Sequence, residues 1–273
     1  MMYSFKVPGG PYQKFTYPAG EMQVRFNEAE RQKITSADRI VVTCRASSGE
    51  MANNLMELAH AVDAVGGLTS PLIPIDIVLP YLPYSRADRR FVEGDCWGLS
   101  VMSRVLNSLD RNNVITLDVH SGRAQKLVDR LVNVSPNPLI QVALNCLPID
   151  TAVILPDEGA KRYSIDRAPT YQCSKKRNPI TGALLGFEVP VDAIRKHSAA
   201  LIVDDICDGG GTFIGIADQL QGMPLWLYTT HGIYSKGTEE LNKRFRGMMA
   251  SDSFTTEFTG VTRLPAMSLL VGA

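Results

Sequence analysis

Carboxylates and glycines follow an apolar run late in the sequence, and this order of residues can build an anion site. The run covers residues 200–203, and the segment after it contains Asp204, Asp205, Asp208, Gly209, Gly210, Gly211 and Thr212. Glycines permit positive φ and let backbone N–H groups approach a phosphate closely. The carboxylates of Asp204 and Asp205 can accept hydrogen bonds from a sugar diol. A tight strand-to-helix turn is the alternative, but three aspartates around one loop favour a sugar-phosphate site.

Two other strand ends carry groups that suit a nucleotide. The predicted strand 73–79 is followed by Arg86, Asp88 and Arg89, and guanidinium groups at the carboxyl end of a strand suit a polyphosphate. The next apolar run ends near His120, whose imidazole can hold or orient a divalent cation. A solvated basic turn and a structural histidine are the respective alternatives.

Two segments of the second half can complete such a site. Asp157 follows the apolar run Thr151–Leu155 and offers oxygen ligands to a metal, although an aspartate there can equally cap a helix. Lys175 and Arg177 lie in a stretch without periodic structure, which predicts a mobile loop. Cations on such a loop can close over a transferring phosphoryl group, and a plain solvated loop is the alternative.

The elements that must position these residues form a repeating pattern of short apolar runs and amphipathic stretches. This pattern is typical of βαβ units around a mainly parallel sheet. The predicted strands cover residues 40–44, 73–79, 113–117, 151–155, 200–203 and 225–229. The predicted helices cover residues 51–66, 97–108, 123–132, 212–221 and 236–246. Glycines and prolines in residues 7–20 predict a loop.

Length and composition favour two α/β domains without a polyanionic partner. At about 150 residues per domain, 273 residues suit two units, and Pro136 and Pro138 favour a border that gives domains 1–140 and 141–273. Lys plus Arg (28) equals Asp plus Glu (28), so no net charge attracts nucleic acid or an acidic membrane. Apolar runs stay shorter than a membrane span, and five cysteines without a Cys-x-x-Cys pair fit a reducing compartment. We therefore expect a cytoplasmic protein that binds neither nucleic acid nor a membrane.

The motifs, in order along the chain, resemble those of the ribose-phosphate pyrophosphokinase family, the phosphoribosyl diphosphate synthetases. They are YPAGE at 17–21, NNLMEL at 53–58, PYSRADRR at 83–90, DVHSG at 118–122, PD at 156–157, KKR at 175–177, the acidic glycine loop at 204–212 and THG at 230–232. The resemblance implies two doubly wound, mainly parallel sheet domains of phosphoribosyltransferase type I-like fold.

The resemblance also implies an activity and a site. The implied reaction is the Mg²⁺-dependent transfer of the diphosphoryl group of ATP to the anomeric hydroxyl of ribose 5-phosphate, giving phosphoribosyl diphosphate and AMP. The implied ATP-binding residues are Tyr17, Glu21, Arg86, Asp88, Arg89 and His120. By the same likeness the loop from Asp204 to Thr212 binds the sugar phosphate, His120 and Asp157 hold Mg²⁺, and Lys175 and Arg177 are catalytic. The adenine loop of the family usually reaches a neighbouring subunit, which implies a homo-oligomer, a dimer or a hexamer.

Several departures from the family pattern keep other hypotheses open. Ala19 stands where the family generally has Asp or Asn, and Ala87 where it has Gln, which reduces the contacts to adenine. Gly209 and Gly210 replace Thr and a small residue, and this loss of bulk suggests a larger acceptor such as ADP-ribose. The opening strand and helix of the family are expected to be missing before Tyr17.

A catalytically silent regulatory member and a phosphoribosyltransferase are two further hypotheses. A silent subunit has no physical need for metal ligands and mobile cations together. A phosphoribosyltransferase would not need a second half that carries Arg86 and His120. The sequence therefore favours the diphosphokinase over both.

Overall fold

A computed structural model describes residues 1–47, 49–177 and 184–272 of the chain. The side chains at 175–177, 184, 185 and 187 lie outside that description. The chain forms two compact units. The first contains Met1–Val134, Ser253–Thr255 and the residues from Met267 onward, and the second contains Ser135–Asp252 and Thr256–Ala266. We predicted a border at residue 140; the units divide six residues earlier, and segments near the C-terminus return to the first unit.

Mainly parallel sheets alternate with short helices in both units. The strands are β1 (Met2–Val7), β2 (Tyr12–Thr16), β3 (Met22–Phe26), β4 (Arg39–Cys44), β5 (Ile75–Leu79), β6 (Val114–Leu117), β7 (Leu131–Val134), β8 (Thr151–Leu155), β9 (Thr170–Gln172), β10 (Ser174–Arg177), β11 (Leu184–Glu188), β12 (Ala199–Cys207), β13 (Leu225–Gly232), β14 (Gly247–Ser251) and β15 (Val261–Leu264). The helices are α1 (Glu28–Thr35), α2 (Met51–Gly66), α3 (Gly98–Asn107), α4 (Ala124–Leu127), α5 (Asn137–Asn145), α6 (Val191–Ile194), α7 (Gly211–Ala217), α8 (Glu239–Asn242) and α9 (Met267–Val271). Short 3₁₀ helices cover Glu158–Arg162 and Asp218–Leu220.

The sheet of the first unit has the strand order β1-β4-β5-β6-β7, and every pair in it is parallel. Its central strands β5 and β6 are buried throughout, which explains why they read as unbroken apolar runs. Helix α2 packs an apolar stripe at spacings of three and four residues into the core, formed by Leu58, Ala61, Val62 and Val65. The carboxyl ends of β5 and β6 carry the loops that contain Arg86 and His120.

The sheet of the second unit has the order β15-β14-β13-β12-β8-β9, again with parallel pairs. The chain passes from β8 to β9 on one side and then returns to β12 on the other side of β8. The strand order therefore reverses between β8 and β12, and crevices at such reversals are the usual ligand sites of open α/β sheets. Asp157 follows β8, and Asp204 and Asp205 lie near the carboxyl end of β12, so the fold brings these acids to one edge.

These two sheets confirm the predicted α/β class, but the start of the chain differs from the prediction. The predicted loop at 7–20 is wrong, because β2 and β3 form an antiparallel hairpin and β1 pairs with β4. The expectation of a missing opening strand is wrong for the same reason. Rings of Phe5, Tyr12 and Phe26 pack edge to face with centroids 5.5–6.1 Å apart, and this cluster holds the opening segments on the sheet.

Three predicted boundaries also need correction. The helix predicted over 123–132 ends at Leu127, because Arg130 has a φ of 52° and β7 then pairs with β6. The helix predicted over 236–246 shortens to Glu239–Asn242, after a turn in which Gly237 has a φ of 74°. Of the basic loop predicted at 175–179, residues 175–177 belong to β10, which pairs with β11 in an antiparallel hairpin, and residues 178 and 179 lie outside the described residues. Among the described residues, no helix has the length and apolar character needed to cross a membrane.

Candidate functional site

Two adjacent aspartates of β12 lie in different electrostatic environments. The side chain of Asp205 is 7% exposed, and its Oδ2 pairs with Nη2 of Arg162 at 3.2 Å. The backbone N–H of Asp205 donates to Oδ1 of Asp204 at 2.9 Å. Burial raises the pKa of Asp204 well above its usual range, and the negative charges of Asp205 and Asp157 raise it further. The second unit therefore holds a group of acids whose mutual repulsion a cation or several hydrogen-bond donors would relieve.

The turn after β8 supplies both an acid and a cation to this group. Asp157 caps the 3₁₀ helix Glu158–Arg162 by accepting the N–H of Gly159 at 3.0 Å. Arg162 ends the same turn, where Nη1 donates to the carbonyl of Gly159 at 3.1 Å and the guanidinium lies over the ring of Tyr163 at 4.9 Å. This turn positions Arg162 to pair with Asp205. Sequence reasoning missed Arg162, although a cation one turn beyond an acidic strand end was the available signal.

The three glycines that follow Asp208 have three different surroundings. A Cβ on Gly209 would lie 3.3 Å from Cδ and Cε of Lys236. Gly210 has a φ of 76°, which L side chains rarely adopt, and a Cβ there would lie 3.2 Å from the side chain of Leu241. Gly211 begins α7, and a Cβ there would meet nothing within 4 Å. Of the three glycines, only Gly211 leaves open space for a ligand to approach the backbone.

A turn after β13 fixes this glycine loop. The backbone N–H of Ser235 donates to the carbonyl of Asp208 at 3.2 Å, and its hydroxyl donates to Oδ1 of the same residue. The N–H of Tyr234 donates to the carbonyl of Cys207 at 3.0 Å. Sequence reasoning missed these partners because they lie about 27 residues further along the chain and carry no local pattern. Asp208 therefore has a structural role in holding the loop.

In the first unit, Asp88 joins the loops that follow β5 and β6. Its Oδ2 accepts the hydroxyl of Ser121 at 2.8 Å, its Oδ1 accepts Nε of Arg89 at 3.1 Å, and its carbonyl accepts Nη1 of Arg123 at 3.0 Å. Burial alone would raise the pKa of Asp88, but the Ser121 hydrogen bond and the two guanidinium charges lower it below its usual range. The exposed side chains of Arg86 and His120 project from these two joined loops.

Tyr17 and Glu21 flank the turn of the β2–β3 hairpin, and both side chains are exposed. The N–H of Tyr17 donates to the carbonyl of Glu21 at 2.8 Å, which closes the turn. The hairpin is anchored on α2 through Glu57, which accepts the hydroxyl of Tyr12 at 2.6 Å and Nζ of Lys14 at 2.8 Å. Burial opposes ionisation of Glu57, yet these two partners hold its pKa below the usual range.

The remaining predicted residues are described only in part. The backbone of Lys175 and Arg177 lies in β10, and their side chains lie outside the described part of the structure. His120 belongs to the first unit and Asp157 to the second. Within the described residues, no three His, Cys, Asp or Glu side chains come together as a ready metal site. A cation bound through one or two carboxylates, waters and substrate phosphates needs no such group, and this is the usual form of a Mg²⁺ site.

Comparisons with known proteins agree on one family. A family model described as the N-terminal domain of ribose phosphate pyrophosphokinase matches residues 2–109. The ribose-phosphate pyrophosphokinase of Aquifex aeolicus is 30% identical over 230 residues, which are 81% of this chain and 71% of that protein. The enzyme of the same name from Methanopyrus kandleri is 26% identical over 273 residues, covering 94% of this chain and 89% of its own.

A solved structure shares the fold. The crystal structure of phosphoribosylpyrophosphate synthetase from Mycobacterium smegmatis matches with a TM-score of 0.79 and 19% identity, over 99% of this chain and 96% of that one. This likeness confirms the predicted phosphoribosyltransferase type I-like fold. On the sequence relationship, the chain belongs to the ribose-phosphate pyrophosphokinase family, a family of diphosphotransferase enzymes.

Proposed function

We propose that this protein transfers the diphosphoryl group of ATP, with Mg²⁺, to the anomeric hydroxyl of ribose 5-phosphate, giving phosphoribosyl diphosphate and AMP. The observation that carries the proposal is the acidic group at the reversal of the second sheet. Burial and the charges of Asp205 and Asp157 disfavour the ionised form of Asp204. A glycine loop with open space at Gly211 follows directly. Membership of the family supports the same reaction.

On the acceptor side, the carboxylates of Asp204 and Asp205 bind the sugar hydroxyls. Hydroxyl donors are suited to these acids because each bond to a carboxylate offsets the repulsion within the group. The loop formed by Asp208, Gly209, Gly210, Gly211 and Thr212 binds the 5-phosphate. Open backbone at Gly211 supports this role, since phosphate is bound by N–H groups that no side chain covers.

On the donor side, Tyr17 and Glu21 bind the adenine, and Arg86, Arg89 and His120 bind the phosphates of ATP. The exposure of these side chains supports the assignment. We assigned Asp88 to ATP as well. Its bonds to Ser121 and Arg89 support a positioning role there, because they hold the two loops in register.

Lys175 and Arg177 stabilise the charge that develops on the transferred group, and His120 and Asp157 would hold the Mg²⁺. The surplus negative charge around Asp157 and Asp204 fits a divalent cation. When bound, Mg²⁺ neutralises phosphate charge and orients the donor. The protein itself supplies in-line placement of the two substrates and needs no covalent intermediate.

ADP-ribose is the second candidate acceptor, and the open space at Gly211 supports it. A ribose 5-phosphate that carries a further group needs an exit from the loop, and Gly211 offers one. The space beside Gly209 is smaller than the sequence suggests, because the aliphatic stem of Lys236 occupies it. Ribose 5-phosphate therefore remains the first candidate.

The test is an incubation of the purified chain with ATP and Mg²⁺ and either acceptor, with mass spectrometry of AMP and of the new diphosphate. A reaction without acceptor measures background ATP hydrolysis. AMP and phosphoribosyl diphosphate with ribose 5-phosphate support the proposal. Product only with ADP-ribose moves the assignment to the larger acceptor. No AMP with either contradicts both and favours a silent regulatory subunit.

We also propose that the protein is a cytoplasmic homo-oligomer, a dimer or a hexamer. The exposed tip of the β2–β3 hairpin, with Tyr17 48% exposed, supports a contact with a second subunit. Analytical ultracentrifugation of the full chain with ATP present tests this, and a monomer at micromolar concentration would contradict it.

A further inference from the structure

Lys236 lies against the glycine loop at the position where the loop lacks a side chain. A Cβ on Gly209 would lie 3.3 Å from both Cδ and Cε of Lys236 and 3.7 Å from Cγ. The aliphatic stem therefore packs along the backbone of Gly209. A residue with a side chain at 209 would push this stem away, so Gly209 and Lys236 form a matched pair.

The backbone of Lys236 is fixed relative to the loop. Lys236 sits in a tight turn in which the N–H of Gly237 donates to the carbonyl of Tyr234 at 2.9 Å. The preceding Ser235 binds Asp208 through both its N–H and its hydroxyl. These hydrogen bonds order the backbone of Lys236 before a ligand binds, which lowers the entropy cost of binding.

The ammonium group of Lys236 is available for a ligand. Its side chain is exposed and has no ion pair or hydrogen bond with any described residue. Oδ1 of Asp208, the acid that directly precedes Gly209, accepts the hydroxyl of Ser235. The Lys236 ammonium therefore has no partner among the described residues and belongs to a side chain that packs on Gly209, two residues before the uncovered backbone of Gly211.

We propose that Lys236 binds the phosphate of the acceptor and supplies, as a charge, the interaction that a hydroxyl side chain at position 209 would otherwise give. The inference rests on the proposed function, since it concerns the same loop. A phosphate monoester carries close to two negative charges at neutral pH, and an ammonium is a compact, mobile partner for such a group. Lys236 is thus a residue for acceptor binding and selectivity in this chain.

Kinetics and direct binding on the full chain test the role. Lys236→Met keeps a stem of similar shape over Gly209 and removes the charge. We expect the KM for ribose 5-phosphate to rise about tenfold, as for loss of one charge-assisted hydrogen bond, while the KM for ATP and kcat stay within about twofold. Lys236→Arg should restore most of the affinity. Calorimetric titration of ribose 5-phosphate should show the same loss.

Lys196→Met is the matched control, because Lys196 is also exposed and without an ion pair among the described residues but precedes the amino end of β12. It should behave as wild type. If wild type is active and the KM of Lys236→Met stays within about twofold, this inference is overturned and the proposed function stands. If wild type binds ribose 5-phosphate without turnover, the proposed function fails and calorimetry alone decides on Lys236. If wild type neither binds nor converts it, both are overturned.

Discussion

The neighbouring residues Asp204 and Asp205 should respond in opposite directions when each is replaced by asparagine. Asp204 is an acid whose charge is disfavoured by burial and by the acids around it, whereas Asp205 has a guanidinium partner. We therefore expect Asp204→Asn to stabilise the protein without ligands and Asp205→Asn to destabilise it. Both should weaken the use of ribose 5-phosphate, because both remove a carboxylate from the proposed sugar site.

The gain from Asp204→Asn follows from the raised pKa. An acid whose pKa is higher in the folded than in the unfolded protein contributes stability that is complete below the unfolded pKa of about 3.9 and is lost as the pH rises through the folded value. Above the unfolded pKa the loss grows as the pH rises, and asparagine removes it. We expect a gain on the order of 1–2 kcal/mol, which raises Tm by about 2–8 °C. The gain should shrink toward pH 4.

The cost of Asp205→Asn follows from the 3.2 Å separation between Asp205 and Arg162. At an effective dielectric constant of about 20, two unit charges at that distance attract by about 5 kcal/mol. Desolvation of the aspartate cancels much of this attraction, and Arg162 is 35% exposed, so water recovers the guanidinium when the pair is lost. The net cost should be about 1–2 kcal/mol.

Thermal and urea unfolding of the full chain, in EDTA so that no cation offsets the repulsion, measures both changes at pH 7 and pH 4.5. Asp166→Asn is the control, because Asp166 is exposed and makes no ion pair or side-chain hydrogen bond with any described residue. Stability changes of the same sign for Asp204→Asn and Asp205→Asn would refute the electrostatic reasoning. A gain for Asp204→Asn that does not depend on pH would refute the role of its titration.

Three other predictions concern separate parts of the molecule. Replacing Lys175 and Arg177 by alanine should lower kcat far more than either KM, and an unchanged kcat in steady-state assays would remove them from the mechanism. Gly210→Ala should lower the free energy of unfolding by about 1–2 kcal/mol, because Gly210 has a φ of 76°. Gly211→Ala should leave the free energy of unfolding unchanged or raise it, yet raise the KM for the acceptor. Urea unfolding measures the first quantity and steady-state kinetics the second. Glu57→Gln weakens the bonds that hold the β2–β3 hairpin and should lower stability by about 1–3 kcal/mol in thermal unfolding, and a loss below about 0.5 kcal/mol would contradict that anchoring role.

The sequence predicted the central strands well because buried parallel strands are unbroken apolar runs. The strand Thr151–Leu155 was predicted to the residue, and each of the other five predicted strands appears. Strands without an unbroken apolar run were missed; β2, for example, has the sequence YQKFT and follows a stretch rich in glycine and proline. β12 continues to Cys207, beyond the predicted end, because pairing with β13 extends the strand through its two aspartates. Tertiary pairing, which no local pattern encodes, set these limits.

Within the candidate site, the sequence indicated residue types but not their partners. Acids and glycines after an apolar run were visible in the order of residues. The pairing of Arg162 with Asp205 and the contact of Lys236 with Gly209 were not, because each joins segments that meet only through the fold. The difference between Asp204 and Asp205 was not visible either, because it depends on Arg162 and Asp157, which meet these acids only in the folded chain.

The second unit carries two opposite electrostatic imbalances at one edge of its sheet, and together they define what the loop can bind. Near the end of β12, burial and the charges of Asp205 and Asp157 disfavour the ionised form of Asp204. In the turn after β13, beside Gly209, Lys236 lacks an acceptor among the described residues. A ligand that relieves both must present hydroxyl donors at one end and an anion at the other. A pentose phosphate has this polarity, whereas a free phosphate would leave the acids unrelieved and a free sugar would leave the ammonium unpaired. Because Lys236 lies beside Gly209, the proposed acceptor would bind with its hydroxyls toward the acids of β12 and its phosphate toward the glycine loop.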